Sequence, residues 1–384
     1  MFNENLLKIQ PSASMKAGLA EGGKPVTNLA MGVPDLAPPS EIVDILKAGA
    51  EAYRLGYGPS KGTKKALHNL KDLVFGGEDA IDPDSNLQLV SGAKYGIYLT
   101  LKTICNAGDT VLLMQPYWLS YPEIVNSLGL NFQSWNPVVD NCGNLDFNLI
   151  ELEQLINQYN ITALIINNPN NPSGKIFTKE WQTELNAILK KYDCWMLIDE
   201  VYRELVYDPE AASEFAITDT NIVRVGSLSK SLSIPGLRLG YICGPKLMID
   251  NADLFNQHIQ TCINALSCFL MEKLDQKLFH SFATKCAGIY KERFEVINSA
   301  FNGTKLKLLH SDASFYSLVD FSGYFTSGER ACAFLSSKLG IITVPGLPYG
   351  SNFDTYIRIC LTLPADVLSE KLSLILKKLN YEHL

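Results

Sequence analysis

Between residues 87 and 245, short apolar runs alternate with longer segments of helical period, and this alternation limits the chain to few folds. The runs are LQLV (87–90), TVLLM (110–114), ALIINN (163–168), CWMLIDE (194–200), IVRVGS (222–227) and LGYIC (239–243). They read as strands, and between them lie helices such as Ala93 to Thr103 and Lys179 to Lys191, the latter opened by Thr178 as an N-cap. Alternating strands and helices predict an α/β core, a large doubly wound domain whose mostly parallel sheet carries helices on both faces. After residue 270 the order changes to a long helix (Gln276 to Ala300), the strand-like runs ASFYSLVDF, IITVPG and YIRICLTL, and a closing amphipathic helix, VLSEKLSLILKKL. That order predicts a second, smaller α+β domain. The expected division is a large domain over 36–270 and a small one made of 1–35 with 271–384.

Composition narrows the function. Acidic residues outnumber basic ones, 40 to 33, and no basic stretch stands out, so neither nucleic acid nor an anionic membrane is an expected partner. The nine cysteines are scattered without a C-x-x-C pair, which argues against a disulfide framework and against a metal site. No run approaches the length of a membrane span, and the N-terminal stretch lacks the apolar core of a signal peptide, so a cytoplasmic protein acting on small molecules is expected.

Open α/β sheets bind ligands beyond the carboxyl ends of their strands, and the residues there are polar. LQLV is followed by Ser91-Gly92-Ala93-Lys94, ALIINN by PNNPSG with Asn171, CWMLID ends in Asp199 with Tyr202 three residues on, and IVRVGS ends in Ser227 with Ser229 and Lys230 just beyond. No Walker lysine motif, H-E-x-x-H or G-x-S-x-G is present, and the glycines around Tyr57 are spaced wrongly for a dinucleotide fingerprint and follow a helix-like segment. The residues suit a phosphorylated cofactor with an aldehyde, a phenolic oxygen and a pyridine ring. Lys230 can form the imine, Asp199 can pair with the ring nitrogen, and Asn171 and Tyr202 can donate to the phenolic oxygen. The helix start at Ala93 and Lys94, with Ser227, Ser229 and Arg238, can hold the phosphate. Ser229 reads equally well as a small loop residue. Trp118 can cover the ring, with Tyr117 as the alternative.

The stretches LAMGVPD, YGPSKG, SGAK, PYWLSYPE, NNPNNPSG, LIDEVY, SLSKSLSIPGLRLGY, ASFY, VPGLPYG and YIRICLT, taken in this order, resemble the class I/II aminotransferases of the fold type I pyridoxal-phosphate enzymes, over nearly the whole chain. The resemblance implies pyridoxal 5'-phosphate bound through Lys230, a substrate α-carboxylate held by Arg358, and Gly32 lining the pocket through its backbone. It also implies that Tyr57 reaches the phosphate of a neighbouring subunit in a homodimer with shared active sites. Ping-pong transfer of an amino group between an amino acid and a 2-oxo acid follows. Lys94 and Ser14, in QPSAS, match residues that the bacterial aspartate enzymes of this branch use for a distal carboxylate, which favours aspartate and 2-oxoglutarate. Departures leave neutral, aromatic or sulfur-containing substrates open: Pro235-Gly236-Leu237-Arg238 stands where many relatives have T-G-W-R, Ala313-Ser314-Phe315-Tyr316 where they have G-A-F-Y, and residues 261–273 lack the usual glutamine. A lyase using the same lysine is a further alternative. A non-catalytic module of the transcription-regulator kind would need a DNA-binding domain, for which the chain has no basic patch.

Overall fold

The structure, a computed structural model, describes residues 3–18, 26–52, 56–76, 80–209 and 221–382. Its centre is a seven-stranded sheet in the spatial order Leu87–Val90, Gly240–Cys243, Ile222–Ser227, Trp195–Asp199, Ile161–Asn167, Thr110–Met114 and Asn131–Trp135. Gly240–Cys243 runs antiparallel to both neighbours and the remaining pairs are parallel, so the sheet is mixed and mostly parallel, as expected. The apolar runs became strands because helices cover both faces. On one side Ile97, Leu101, Ile249 and Ala252 pack on Val111, Ile165 and Val225. On the other, Leu152, Leu185 and Leu189 pack on Leu112, Leu164 and Met196. Thr178 caps the helix Lys179–Lys191 by accepting from the Trp181 amide at 3.3 Å, where the sequence placed the cap.

Beyond this layer lies a four-stranded antiparallel sheet, ordered Lys307–Leu308, Tyr316–Asp320, Tyr356–Cys360 and Val344–Pro345. It packs with the helices Gln276–Phe301 and Ala365–Glu382 around Tyr290, Ile297, Leu368 and Leu372. The N-terminal segment touches both layers. Thr27–Asn28 pairs in parallel with Ile341–Ile342, while the Gln10 amide donates to Glu123 at 3.1 Å, on the helix Tyr121–Ser127 of the larger layer. No helix among the described residues is long and apolar enough to cross a membrane.

Two backbone links join the sheets close to the later site. Ser314 donates its amide to the Leu205 carbonyl and Tyr207 donates its amide to the Asp312 carbonyl, both at 2.8 Å, on either side of a Val206–Ala313 bridge. A third link is ionic. Asp35 accepts two hydrogen bonds of 2.8 Å from the buried Arg293, which also donates to the Leu361 carbonyl at 2.8 Å. This fork anchors the loop carrying Ala30 and Gly32 to the helix Gln276–Phe301. Removing the carboxylate leaves a buried guanidinium without its counter-charge. Asp35→Ala is therefore expected to cost about 3 kcal/mol, read as a lower urea midpoint, whereas Asp44→Ala on the exposed surface should cost under about 0.5 kcal/mol.

Candidate active site

Lys230 lies in the one-turn helix Leu228–Ser231, immediately after the strand Ile222–Ser227. Ser227 caps that turn, accepting from the Ser229 amide at 3.1 Å. The Lys230 ammonium donates to the Gly32 carbonyl at 2.6 Å and stands 5.5 Å from the centre of the Phe315 ring. Burial, opposed by Cys360 and aided by the cations of Arg358, Arg238 and Lys94, lowers its pKa to about 8. A sizeable neutral fraction is thus present near neutrality, which a surface lysine lacks.

Asp199 ends the strand Trp195–Asp199 and is buried. Its carboxylate accepts from the Tyr121 hydroxyl at 2.6 Å and from the Val201 amide at 3.2 Å. Burial outweighs these bonds and raises its pKa to about 6. No cationic side chain is within ion-pair distance of it among the described residues. On the adjoining strand Asn167 is its register partner, donating to the Asp199 carbonyl at 2.8 Å and accepting from the Asn171 amide at 2.5 Å. Asn171 then donates to the Tyr202 hydroxyl at 3.3 Å, and its Oδ1 is buried with no partner.

An anion-binding face lies beside these groups. The helix Ala93–Ile104 begins at Gly92 with no side-chain cap, so its first amides are free for a ligand. Gly92 has φ +80°, and a Cβ there would collide with the Arg238 guanidinium, so close approach requires glycine at this corner. Arg238 is held over the corner by the carbonyls of Pro235 (3.0 Å) and Ser91 (3.3 Å). The hydroxyls of Ser227 and Ser229 are 2.8 Å apart. An open cleft of about 730 Å³ continues outward past Ser91, Gln260 and Tyr57, whose side chain is 90% exposed.

The opposite face belongs to the smaller sheet. Arg358 is 2% exposed, donates to the Ala30 carbonyl at 2.6 Å, and lies 4.5 Å from the Tyr316 ring centre and 5.4 Å from that of Tyr349. Its Nε has no partner, and no carboxylate pairs with it among the described residues. Trp118 meets Tyr121 edge-on at 5.4 Å, and the Lys94 ammonium sits 4.9 Å above its ring. Tyr117, half-buried, donates its amide to the Tyr349 carbonyl at 3.0 Å. Burial and the Arg238 charge lower the Lys94 pKa. The Ser14 hydroxyl is 3.1 Å from that of Ser12, and the adjacent Ala13 packs with Trp118 and Tyr349.

The structure thus gathers the strand-end residues around Lys230, and it adds three tyrosines that the sequence reading left without a place: Tyr121, Tyr316 and Tyr349. All lie within the quoted stretches PYWLSYPE, ASFY and VPGLPYG, but no local pattern says that their phenols or rings would turn toward Asp199, Tyr202 and Arg358. The donor set fits a flat phosphorylated aldehyde cofactor. A buried carboxylate without a cation, an orphaned amide oxygen, a glycine corner beneath a guanidinium and an uncapped helix start are each explained by such a group.

Known proteins are similar to this chain. A bifunctional aspartate aminotransferase and glutamate/aspartate-prephenate aminotransferase from Petunia hybrida is 28% identical over 366 residues, covering 89% of this chain and 74% of its own. Aromatic-amino-acid aminotransferase 2 from Thermococcus litoralis is 24% identical, covering 100% and 99%. A single mutant of the Thermus thermophilus aspartate aminotransferase superposes with a TM-score of 0.90 over 99% of both chains at 21% identity, which shows a shared fold. Residues 24–375 match the profile of the aminotransferase class I and II family, and the chain belongs to that family of transferases.

Proposed function

We propose that this aminotransferase moves the amino group of L-aspartate to 2-oxoglutarate. The observation that carries the reading is that Lys230, with its lowered pKa, lies near a buried guanidinium that lacks a carboxylate and follows the strand next to one ending in a buried carboxylate that lacks a cation, among the described residues. A cofactor bearing a basic ring nitrogen and a substrate bearing a carboxylate satisfy both. Pyridoxal phosphate, the cofactor of this family, supplies an aldehyde that binds amines and a ring that withdraws electrons from the bond being broken.

The chain's own residues then take the following parts. Asp199 keeps the ring nitrogen protonated, with Tyr121 fixing the carboxylate. Tyr202 and Asn171 donate to the phenolic oxygen. The amides at Ala93 and Lys94, with Ser227, Ser229 and Arg238, receive the phosphate. Trp118 covers the ring. Arg358 would hold the substrate α-carboxylate beside Gly32, and Lys230 would take the α-proton from the substrate and return it. The exposed Tyr57 completes the phosphate site of a second copy, which makes the working unit a homodimer. The cytoplasm is the compartment this chemistry suits.

Lys94 and Ser14 are the residues proposed for the distal carboxylate, and the names of relatives such as the Petunia enzyme support that choice. The Lys94 ammonium resting against Trp118 favours a second reading, an aromatic side chain stacked in its place, which the name of the Thermococcus relative also suggests.

The visible absorbance of the purified, cofactor-loaded protein separates these readings. A band that collapses with aspartate and returns with 2-oxoglutarate supports the dicarboxylate reading. Collapse with phenylalanine but not aspartate supports the aromatic one, pyruvate and ammonia formed without an oxo acid indicate a lyase, and absence of any band removes the assignment. Lys230→Ala is expected to retain the phosphate-bound cofactor while turnover falls by roughly 10⁴-fold or more; turnover near wild type would sink the lysine's role.

Asp199 yields a pH prediction for the cofactor-free protein. Its folded pKa is raised to about 6 from 3.8, so its stabilising contribution is complete below the unfolded value and is lost as pH rises through 6. Asp199→Asn is therefore expected to raise the melting temperature of the cofactor-free protein at pH 7.5 by several degrees, with no gain at pH 4, while weakening cofactor retention. Melting curves at the two pH values and dialysis of the loaded protein are the measurements.

A further inference from the structure

Tyr316 is the residue at which the cofactor face and the substrate face meet. It is 2% exposed and opens the strand Tyr316–Asp320, which pairs antiparallel with Tyr356–Cys360 so that Leu318 lies opposite Arg358. Tyr316 and Arg358 are therefore diagonal neighbours on one face of the sheet, and the register itself sets the 4.5 Å separation between guanidinium and ring. The Tyr316 hydroxyl lies 3.1 Å from that of Tyr202. It fills the space beside residue 32, where a Cβ would collide with it, so glycine there is a condition of its placement. Tyr202 and Tyr316 flank the backbone links that join segments 205–207 and 312–314, which leaves the two phenols little freedom to separate.

A phenol has one proton to give. The Tyr202 hydroxyl donates to Tyr316 and accepts from Asn171. To donate to the cofactor's phenolic oxygen, Tyr202 must turn its proton away from Tyr316. The distance between the two oxygens serves either direction, so the Tyr316 proton can then turn toward Tyr202, and a phenol that accepts a bond is a stronger donor in its next one. The charged and titratable groups facing this pair are Arg358 and Cys360 from the strand, Tyr290 from the helix Gln276–Phe301, Tyr349, and Asp199.

Resting on the cofactor and Arg358 roles given under Proposed function, we propose that Tyr316 is a positioning residue with two separable parts: its hydroxyl orients and strengthens Tyr202 as donor to the cofactor, and its ring face orients Arg358 toward the substrate carboxylate.

Tyr316→Phe removes the hydroxyl and keeps the ring, and Tyr316→Leu removes both. The measurements are the pH midpoint of the visible absorbance of the loaded enzyme, and kcat and KM with L-aspartate and 2-oxoglutarate, or with the amino acid that collapses the band. Tyr316→Phe is expected to raise the midpoint by about half a pH unit, because a cofactor oxygen with a weaker donor holds a shared proton more tightly, and to lower kcat roughly 3- to 10-fold with KM within about 2-fold. Tyr316→Leu is expected to add a KM increase of roughly 10-fold. In a Tyr202→Phe background, Tyr316→Phe should leave the midpoint where Tyr202→Phe alone puts it. A Tyr316→Phe midpoint equal to that of wild type overturns the hydroxyl's part, even if Tyr316→Leu fails to fold, and additive shifts with Tyr202→Phe overturn the route through Tyr202. Equal KM values for the two Tyr316 variants overturn the ring's part. A wild type without any visible band removes the proposed function, and this proposal with it, whereas a wild-type band that amino acids collapse but that does not shift with pH, or one with an indifferent Tyr316→Phe, removes this proposal alone.

Discussion

A parallel strand packed on both faces presents polar side chains to a ligand at its carboxyl end, and the site follows from that arrangement. Asn167, Asp199 and Ser227 each close such a strand, and the parallel register aligns Asn167 with Asp199. The backbone continuing from each of them carries the next group. Asn171 follows Asn167, Tyr202 follows Asp199, and Lys230 follows Ser227 within one helical turn. Because the strand bodies are pinned by helices on both sides, these ends are held firmly, and a site with several polar groups needs that firmness more than it needs any single bond.

Charge left unpaired is the second organising feature. Elsewhere the fold neutralises the buried Glu200, Arg224 and Arg293. Glu200 accepts from Arg224 at 2.9 Å and from the Tyr241 hydroxyl at 2.6 Å, and Asp35 is gripped by Arg293. Among the described residues, Asp199, one residue before Glu200, and Arg358 receive no such compensation from charged side chains of opposite sign. Leaving a buried carboxylate and a buried guanidinium without ionic partners is costly to the cofactor-free protein, and that cost becomes binding energy for ligands of opposite charge. Lys230, close to Arg358, is held less protonated than a surface lysine by the same dry surroundings.

Much of the fold was legible because buried strands carry an unambiguous signal. The runs at 87–90, 110–114 and 222–227 became strands with those bounds, and ALIINN became Ile161–Asn167, begun earlier by Ile161 and Thr162. The edge strand Asn131–Trp135 escaped notice because NFQSW is mostly half-exposed and has no apolar run to mark it. The reversed direction of Gly240–Cys243 was equally unreadable, since a strand's composition carries no arrow. In the site, residues adjacent to strand ends could be named from their position in the chain. Tyr121, Tyr316 and Tyr349 could not, because each reaches its partner across a packing interface between distant segments.

By itself the sequence determined the alternating core, the polar groups at its strand ends and the family to which the chain belongs, because apolar period and local chemistry are properties of neighbours in the chain. Only the tertiary structure decided which charges would lack partners, that the Lys230 amine would lean on the Gly32 carbonyl, and that one tyrosine from the smaller sheet would touch both Tyr202 and Arg358. Those are contacts between residues far apart in sequence. They exist because the two sheets share buried side chains, Leu318 and Phe353 of one packing with Leu112 and Leu164 of the other, and are joined along residues 205–207 and 312–314, and no local pattern encodes how two packed layers meet.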